Sequence, residues 1–317
     1  MSAALSDYSY GIDIGGTKVL AVAVEGSGSV VAEARTASNV ALGGVEAAIE
    51  QVIIELTQQC GAPATIGVGI AGLVDFEGRM RFGPNLPDVL ALPVRARMEA
   101  ATGVPVSVDN DANCAGYGEL MIGAMRGARH ALMVTLGTGI GGAIIMNGDI
   151  YRGANGFAAE IGHFTVRDGG ALCACGELGH WEAIACGSAL GRMGGEAVRA
   201  GLGGAIAAPS DREVTGHDVA RAGAAGDPFA IAVIDEFADN VALGLAGLAN
   251  ILDPEVIVIA GGLVEMGPLL FDPVNAAFAR HLEGLAHRPS IQVLPAQLGE
   301  RAGAIGAALQ SSRLRSL

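Results

Sequence analysis

Residues 10–18 read YGIDIGGTK and lead directly into the apolar run VLAVAV at residues 19–24. Apolar runs on both sides of a glycine pair predict two strands joined by a tight elbow, with a hairpin turn at residues 26–29. An aspartate between two isoleucines at a strand end is unusual core material, so we interpret Asp13 as facing Mg²⁺. An ordinary hairpin with an Asx turn would account for the same residues. If the elbow instead binds phosphate, its contact residues are Gly15, Gly16, Thr17 and Lys18.

A second copy of this pattern occupies residues 131–146, ALMVTLGTGIGGAIIM. Strand, glycine elbow with a threonine, and strand follow one another in the same order. The glycine run also satisfies the dinucleotide pattern G-x-G-x-x-G, but a strand and not a helix follows it, so we interpret that match as accidental. The repeat favours phosphate binding by both elbows, in the second through Gly137, Thr138 and Gly139. Two such hairpins facing each other across a cleft resemble the sugar kinase, actin and Hsp70 superfamily.

Polar residues cluster at the end of a predicted buried strand in residues 104–113, VPVSVDNDAN. Asn110 or Asp111 alone would be enough to cap the helix that follows. Four polar side chains exceed what a cap needs, and open α/β sheets bind ligands at the carboxyl ends of their strands. A carboxylate in this place can accept the proton of a sugar hydroxyl as it attacks a phosphoryl group.

A candidate metal site lies in residues 160–182, which contain Cys173, Cys175, His163 and His180. Two thiolates and two imidazoles form a tetrahedral set of the kind that Zn²⁺ favours. Glycines next to the cysteines allow the chain to turn tightly. The alternative is two buried free cysteines and two surface histidines, but a Cys-x-Cys in a polar loop is poor core material.

The same segment resembles the signature of the ROK family of bacterial sugar kinases and sugar-responsive repressors. Gly162-His163 is followed after nine residues by Cys-x-Cys-Gly-x-x-Gly-x-x-Glu. The family pattern has a cysteine where this chain has His180. This departure retains four ligands but removes one thiolate, so the zinc site would be neutral. Cys186 is an alternative fourth ligand, although Gly187-Ser188 after it indicates the start of a helix.

The resemblance covers roughly residues 8–309 and implies an ATP-dependent phosphorylation of a hexose at its 6-hydroxyl, with glucose the first expectation. It assigns the general base to Asp111, and it places the Gly261–Gly262 pair at the nucleotide. Mg²⁺ is implied with ATP, and the zinc is implied to be structural. The resemblance implies these sugar-binding residues: Gly72, Asn85, Asn110, Asp111, Glu160, His163 and Glu182.

The predicted fold class is α/β, a two-lobed actin-like ATPase (ribonuclease H-like) fold with a central ligand cleft. The N-terminal lobe is predicted over residues 1–118 and 299–317, and the C-terminal lobe over residues 119–298. Apolar spacing predicts helices over residues 45–59, 227–252 and 300–311. The last of these is expected to pack on the N-terminal lobe. By resemblance we expect a homodimer or homotetramer.

Composition excludes several classes of protein. The net charge is −14 and no basic patch is visible, which argues against nucleic-acid binding. No apolar run approaches the length of a membrane span, and no signal peptide is apparent, so we expect no membrane partner. Five cysteines without disulfide-like spacing indicate a reducing, cytoplasmic location.

Three other interpretations remain open at the level of sequence. The chain could be a kinase for N-acetylglucosamine or N-acetylmannosamine, because the pocket around the sugar 2-position depends on loop shape. It could be a sugar-sensing transcriptional regulator, although the first strand is expected at about Tyr8, which leaves no room for a helix-turn-helix domain. It could also be a zinc-stabilised binding protein without activity. Polyphosphate is an alternative to ATP as the phosphoryl donor.

Overall fold

The computed structural model describes residues 8–38, 45–83, 91–207 and 212–316. The strands of this part of the chain are β1 (Ser9–Ile14), β2 (Lys18–Val24), β3 (Val30–Ala37), β4 (Thr65–Ile70), β5 (Leu73–Val74), β6 (Met80–Phe82), β7 (Val106–Asn110), β8 (Ala131–Leu136), β9 (Ile140–Met146), β10 (Asp149–Ile150), β11 (Val256–Ala260) and β12 (Gln292–Pro295). The α-helices are α1 (Val45–Cys60), α2 (Val94–Thr102), α3 (Asp111–Ile122), α4 (Glu182–Ala185), α5 (Gly187–Arg199), α6 (Gly216–Ala224), α7 (Pro228–Leu252), α8 (Pro268–His281) and α9 (Ala302–Ser312).

The chain divides into two compact units. Unit 1 comprises Met1–Arg129, Ala143–Ala159 and Gln297–Leu317, and unit 2 comprises His130–Gly142 and Glu160–Ala296. The division therefore falls inside β9, and the segment Ala143–Ala159 belongs with unit 1. The lobe boundaries expected from sequence, 1–118 with 299–317 and 119–298, stay a prediction.

The sheet of unit 1 has the strand order β3-β2-β1-β4-β7. The first three strands are antiparallel neighbours, and β1, β4 and β7 run parallel. The register pairs Asp13 with Gly69 and Gly69 with Asp109. Because parallel strands end at the same sheet edge, Asp13 and residues 109–111 lie at one edge, where such sheets bind ligands.

Helix α9 packs on this sheet with almost no space between the two backbones. A Cβ added to Gly11 would lie 1.8 Å from the carbonyl oxygen of Ala304, and one added to Gly67 would lie 1.8 Å from that of Ala307. Glycine at these two strand positions therefore allows the helix to approach. The predicted packing of the C-terminal helix on the N-terminal part of the chain is confirmed.

Hydrogen bonds to Glu119 of α3 hold the segment that leads into α9. Its carboxylate is fully buried, and Oε1 accepts the backbone N–H groups of Gln297 and Leu298 at 2.9 and 2.8 Å. Oε2 accepts the N–H of Ala124 at 2.7 Å. Buried carboxylates require such partners, and these hydrogen bonds have a structural role: they connect the segment before α9 to α3.

The second five-stranded sheet has the order β10-β9-β8-β11-β12, with β8, β11 and β12 parallel. In unit 2, the indole of Trp181 is fully buried against Gly244 of α7, and its Nε1 donates to the carbonyl oxygen of Asn240 at 2.9 Å. A side chain at position 244 would occupy the space of the indole. The Trp181 ring therefore anchors the end of the predicted metal segment to α7.

The long apolar helix predicted over residues 227–252 is confirmed. Asp227 is the N-cap of α7 and accepts the N–H of Ala230 at 2.8 Å, and Pro228 occupies the first helical position. The helix predicted over 45–59 is also confirmed as α1. Among the described helices, none has the length and apolar character required to cross a lipid bilayer.

Candidate active site

Asp13 and Asp111 are two of the carboxylates at the carboxyl edge of the unit 1 sheet. Burial and the neighbouring carboxylate of Asp111 raise the pKa of Asp13 to about 7, against an opposing effect of Lys18. Asp111 is the first residue of α3, and burial raises the pKa of its carboxyl group. Two carboxylates this close share an environment that favours a proton, a bound cation or both. The arrangement suits a general base next to a metal-binding carboxylate.

Asn110 is the N-cap of α3. Its Oδ1 accepts the N–H groups of Ala112 and Asn113 at 2.9 and 3.1 Å, and its Nδ2 donates to the carbonyl oxygen of Gly72 at 3.2 Å. The structure thus brings together two of the predicted sugar-binding residues, Asn110 and Gly72. An amide nitrogen carries two hydrogens, and among the residues that the structure describes the second one of Asn110 has no acceptor, so it suits a ligand contact. The helix cap and the ligand contact, which the sequence set against each other, are compatible.

The first elbow is a tight turn closed by a hydrogen bond from the N–H of Gly15 to the carbonyl oxygen of Lys18, at 3.0 Å. Gly16, Thr17 and Lys18 are exposed at its tip. The ammonium of Lys18 lies 2.6 Å from Oε2 of Glu300. The predicted phosphate-contact residues are therefore accessible, and the cation is paired with a carboxylate just before α9.

The second elbow borders a cavity of about 970 Å³ that lies within unit 2. Its lining includes three of the predicted nucleotide residues, Gly137, Thr138 and Gly262. Gly139 and Gly261 are not among the lining residues. Gly261 has a φ of +90°, and a Cβ there would lie 2.4 Å from the carbonyl oxygen of Leu136, so this glycine is required by the backbone.

Sequence reasoning missed most of the other wall of this cavity. One side of α5 lines it through Gly187, Gly191 and Gly195, and the segment 212–217 lines it as well. Glycines at every fourth position mark one face of a helix, and that spacing is the signal that could have identified the wall. A cavity of this size is in the range of small-molecule and cofactor sites.

The predicted metal ligands lie together in unit 2. One ligand atom each from His163, Cys173, Cys175 and His180 forms a group within 4.8 Å of one another. Sγ of Cys173 is 3.9 Å from Nδ1 of His163, and Sγ of Cys175 is 3.2 Å from Nδ1 of His180. Ligand atoms around tetrahedral Zn²⁺ are separated by about 3.3–3.8 Å. The four side chains fit such an ion.

Cys186 does not join this cluster. It is buried at the N-cap of α5, where Sγ accepts the N–H of Ala189 at 3.4 Å. The alternative ligand considered from the sequence, Cys186, is thus a helix cap. His180 is the fourth member instead.

Glu182 connects the cysteine loop to the second elbow. Its Oε1 accepts from Sγ of Cys173 at 3.5 Å, and its Oε2 accepts the N–H of Ile140 at 2.7 Å. Glu160 is exposed just before the short 3₁₀ turn Ile161–His163. Asn85 lies outside the described residues. The sugar-binding roles of these three residues stay predictions.

Comparisons with protein-family models, curated proteins and solved structures all point to the same family. The ROK family model matches residues 9–313. A glucokinase of Streptomyces coelicolor is 36% identical over 304 residues, which cover 94% of this chain and 95% of that protein. A glucokinase of Thermotoga maritima is 33% identical, covering 94% and 95% of the two chains.

Among solved structures, the chain resembles a ROK family glucokinase from Streptomyces griseus, crystallised in complex with glucose and AMPPNP. The TM-score is 0.85 at 36% identity, covering 96% of this chain and 99% of that one. This likeness confirms the predicted α/β fold of the actin-like ATPase type. Since the family model and both curated relatives span nearly the whole sequence, the chain belongs to the ROK family.

Proposed function

We propose that this chain is an ATP-dependent hexokinase-type enzyme that phosphorylates glucose at its 6-hydroxyl. The observation that carries the proposal is the half-buried carboxylate of Asp111, whose pKa desolvation raises, at the start of α3 next to the N-cap Asn110. A carboxylate with a raised pKa is a stronger base once ionised, and such groups serve as general bases. Family membership and the glucokinase relatives support the choice of reaction.

In the proposed reaction, Asp111 accepts the proton of the 6-hydroxyl as that oxygen attacks the γ-phosphorus of ATP, and ADP leaves. Phosphoryl transfer requires mainly positioning and electrostatic stabilisation. Gly72 and the side-chain amide of Asn110 are proposed to orient the sugar in unit 1. In unit 2, Glu160, His163 and Glu182 are assigned to sugar hydroxyls.

ATP is proposed to bind in the cavity bordered by Gly137, Thr138 and Gly262. The exposed tip of the first elbow, including Lys18, is assigned to phosphate. Mg²⁺, when bound, would neutralise charge on the phosphate oxygens, and Asp13 is the carboxylate placed to hold it. A neutral Cys₂His₂ zinc site is proposed to stabilise the loop that carries His163 and Glu182. The homodimeric or homotetrameric state stays a prediction.

The test is ADP release with Mg-ATP across glucose, mannose, N-acetylglucosamine and N-acetylmannosamine, with Asp111→Asn as the control. Fast turnover on glucose alone supports the proposal. Preference for an acetylated sugar keeps the mechanism and changes the substrate. Binding without turnover of any sugar would contradict it. Replacing ATP with inorganic polyphosphate in the same assay tests the alternative donor.

A further inference from the structure

Asp109 is a buried carboxylate one residue before Asn110 and two before Asp111. Its side chain is 7% exposed, and Oδ2 lies 2.9 Å from Nε and 2.7 Å from Nη2 of Arg152. Its Oδ1 accepts the N–H of Asn110 at 2.8 Å and Nδ2 of Asn113 at 3.0 Å. A single carboxylate therefore binds one guanidinium, the backbone of the strand end and the first turn of α3.

Arg152 reaches Asp109 from the segment that follows β10, which belongs to unit 1. Its side chain is 25% exposed, and Nη1 also donates to the carbonyl oxygen of Ile150 at 3.4 Å. Removing one member of a buried ion pair leaves an uncompensated charge, which is far more costly than losing a surface pair. Without Arg152, the carboxylate of Asp109 would lose its guanidinium partner at the turn of residues 109–111.

Carboxylates outnumber cationic groups around the turn at residues 109–111. Asp109, Asp13 and Asp111 all act on the buried thiol of Cys114, where they and above all burial raise the thiol pKa, and Arg152 opposes them. Lys18 acts on Asp13 from the first elbow. The segment after β10 thus supplies one cation, Arg152, to this turn. Its guanidinium compensates the charge of Asp109, the carboxylate closest to Asp111 in sequence.

We infer that Arg152 is a positioning residue for the reaction proposed above, because its ion pair with Asp109 fixes the turn that presents Asn110 and Asp111. The inference rests on the proposed function and deepens it. Arg152 has no assigned contact with sugar or nucleotide. Its effect on the reaction passes through Asp109 and the backbone of the turn.

The experiment compares Arg152→Gln, Arg152→Lys and the double variant Asp109→Asn/Arg152→Gln. We expect Arg152→Gln to lower kcat by about 10–100-fold, since small misplacements of reacting groups have effects of this size. The KM for ATP should stay at the wild-type value. Arg152→Lys should retain part of the activity because an ammonium still neutralises Asp109. The double variant should have a higher kcat than Arg152→Gln, because it leaves no buried charge unpaired.

The matched control is Arg280→Gln in unit 2. Arg280 pairs with Asp239 at the surface, where the side chains are 64% and 41% exposed, and we expect wild-type kinetics there. Two results would overturn the inference. One is wild-type kcat in folded Arg152→Gln, and the other is a double variant no more active than that single variant.

An activity-independent readout separates this inference from the proposed function. If the wild-type protein phosphorylates no sugar, the proposed function fails. Hydrogen exchange in residues 106–116 then still tests the pairing. Exchange should be faster in Arg152→Gln than in wild type and unchanged in Arg280→Gln. Unaltered exchange in Arg152→Gln would refute the positioning role.

Discussion

Gly303, the second residue of α9, packs directly against the carboxylate of Asp13. A Cβ added to Gly303 would lie 2.7 Å from Oδ2 and 2.8 Å from Cγ of Asp13. This contact leaves no room for a side chain at position 303 and holds the Asp13 carboxylate against the first turn of α9. The C-terminal helix therefore contributes to the predicted Mg²⁺ and phosphate site without supplying a side chain.

Gly303→Ala should impair both the fold and the reaction. Alanine normally stabilises a helix interior relative to glycine, by about 0.5–1 kcal/mol. Here the methyl group must displace Asp13, and overpacking of this kind typically costs about 1–3 kcal/mol. We expect a lower urea midpoint and a reduced kcat, measured by fluorescence and by ADP release.

Gly247→Ala is the matched control for this substitution. Gly247 lies inside α7, where the nearest atom to an added Cβ is a ring carbon of Phe164 at 3.9 Å. We expect the urea midpoint to rise or stay level there. A Gly303→Ala protein as stable and active as wild type would show that Asp13 does not need its observed position.

The pKa of Asp13 predicts a pH dependence of stability. Burial and Asp111 raise this pKa from 3.8 to about 7 in the folded protein. Between these values the folded state holds the proton while the unfolded chain has released it, so the free energy of unfolding falls as pH rises. We expect Asp13→Asn to lack this contribution. Urea titrations of both proteins at pH 4.5 and pH 7.5 test it, and equal pH dependence in the two would contradict it.

Asp111→Asn should remove most turnover while glucose still binds. Loss of a general base typically lowers the rate by about 10²–10⁴-fold. An asparagine retains the size of the side chain and its place at the start of α3. ADP release measures the rate, and calorimetry measures glucose binding. Asp149→Asn, which changes an exposed carboxylate, is the control; a near-normal rate in Asp111→Asn would remove the residue from its role.

The metal cluster predicts about one zinc ion per chain. His180→Ala should lower the zinc content measured by mass spectrometry, because it removes one of four ligands. His180→Cys should retain zinc, since a thiolate replaces the imidazole at the same place in the chain. Loss of zinc should also lower the thermal midpoint, because a structural metal contributes directly to folding.

Cys186→Ser is the control for the metal experiment. Cys186 caps α5 and is not part of the cluster, and serine is itself a good N-cap. We expect unchanged zinc content in this variant. Zinc retained in His180→Ala but lost in Cys186→Ser would reverse the assignment.

Much of the site could be predicted because its signals are local. The two glycine elbows, the strand end at Asn110 and Asp111, and the Cys-x-Cys segment are each contained in a short stretch of chain. The spacing of His163, Cys173, Cys175 and His180 was enough to predict that they group together. Asp109 was visible in the same polar cluster, but nothing in the sequence indicated its partner, because Arg152 lies 43 residues further along the chain.

The sequence by itself determined the types of secondary structure, the family and which residues could bind ligands or take part in the reaction. It could do so because periodicity and turn chemistry depend on a few neighbouring residues. Only the tertiary structure decided which distant groups meet. It placed α9 against Gly11 and Gly67, Gly303 against Asp13, Arg152 against Asp109, and the glycine face of α5 along the unit 2 cavity. These contacts depend on backbone-to-backbone distances and on the burial of charge. Both are properties of the packed chain, and no local pattern of side chains encodes them.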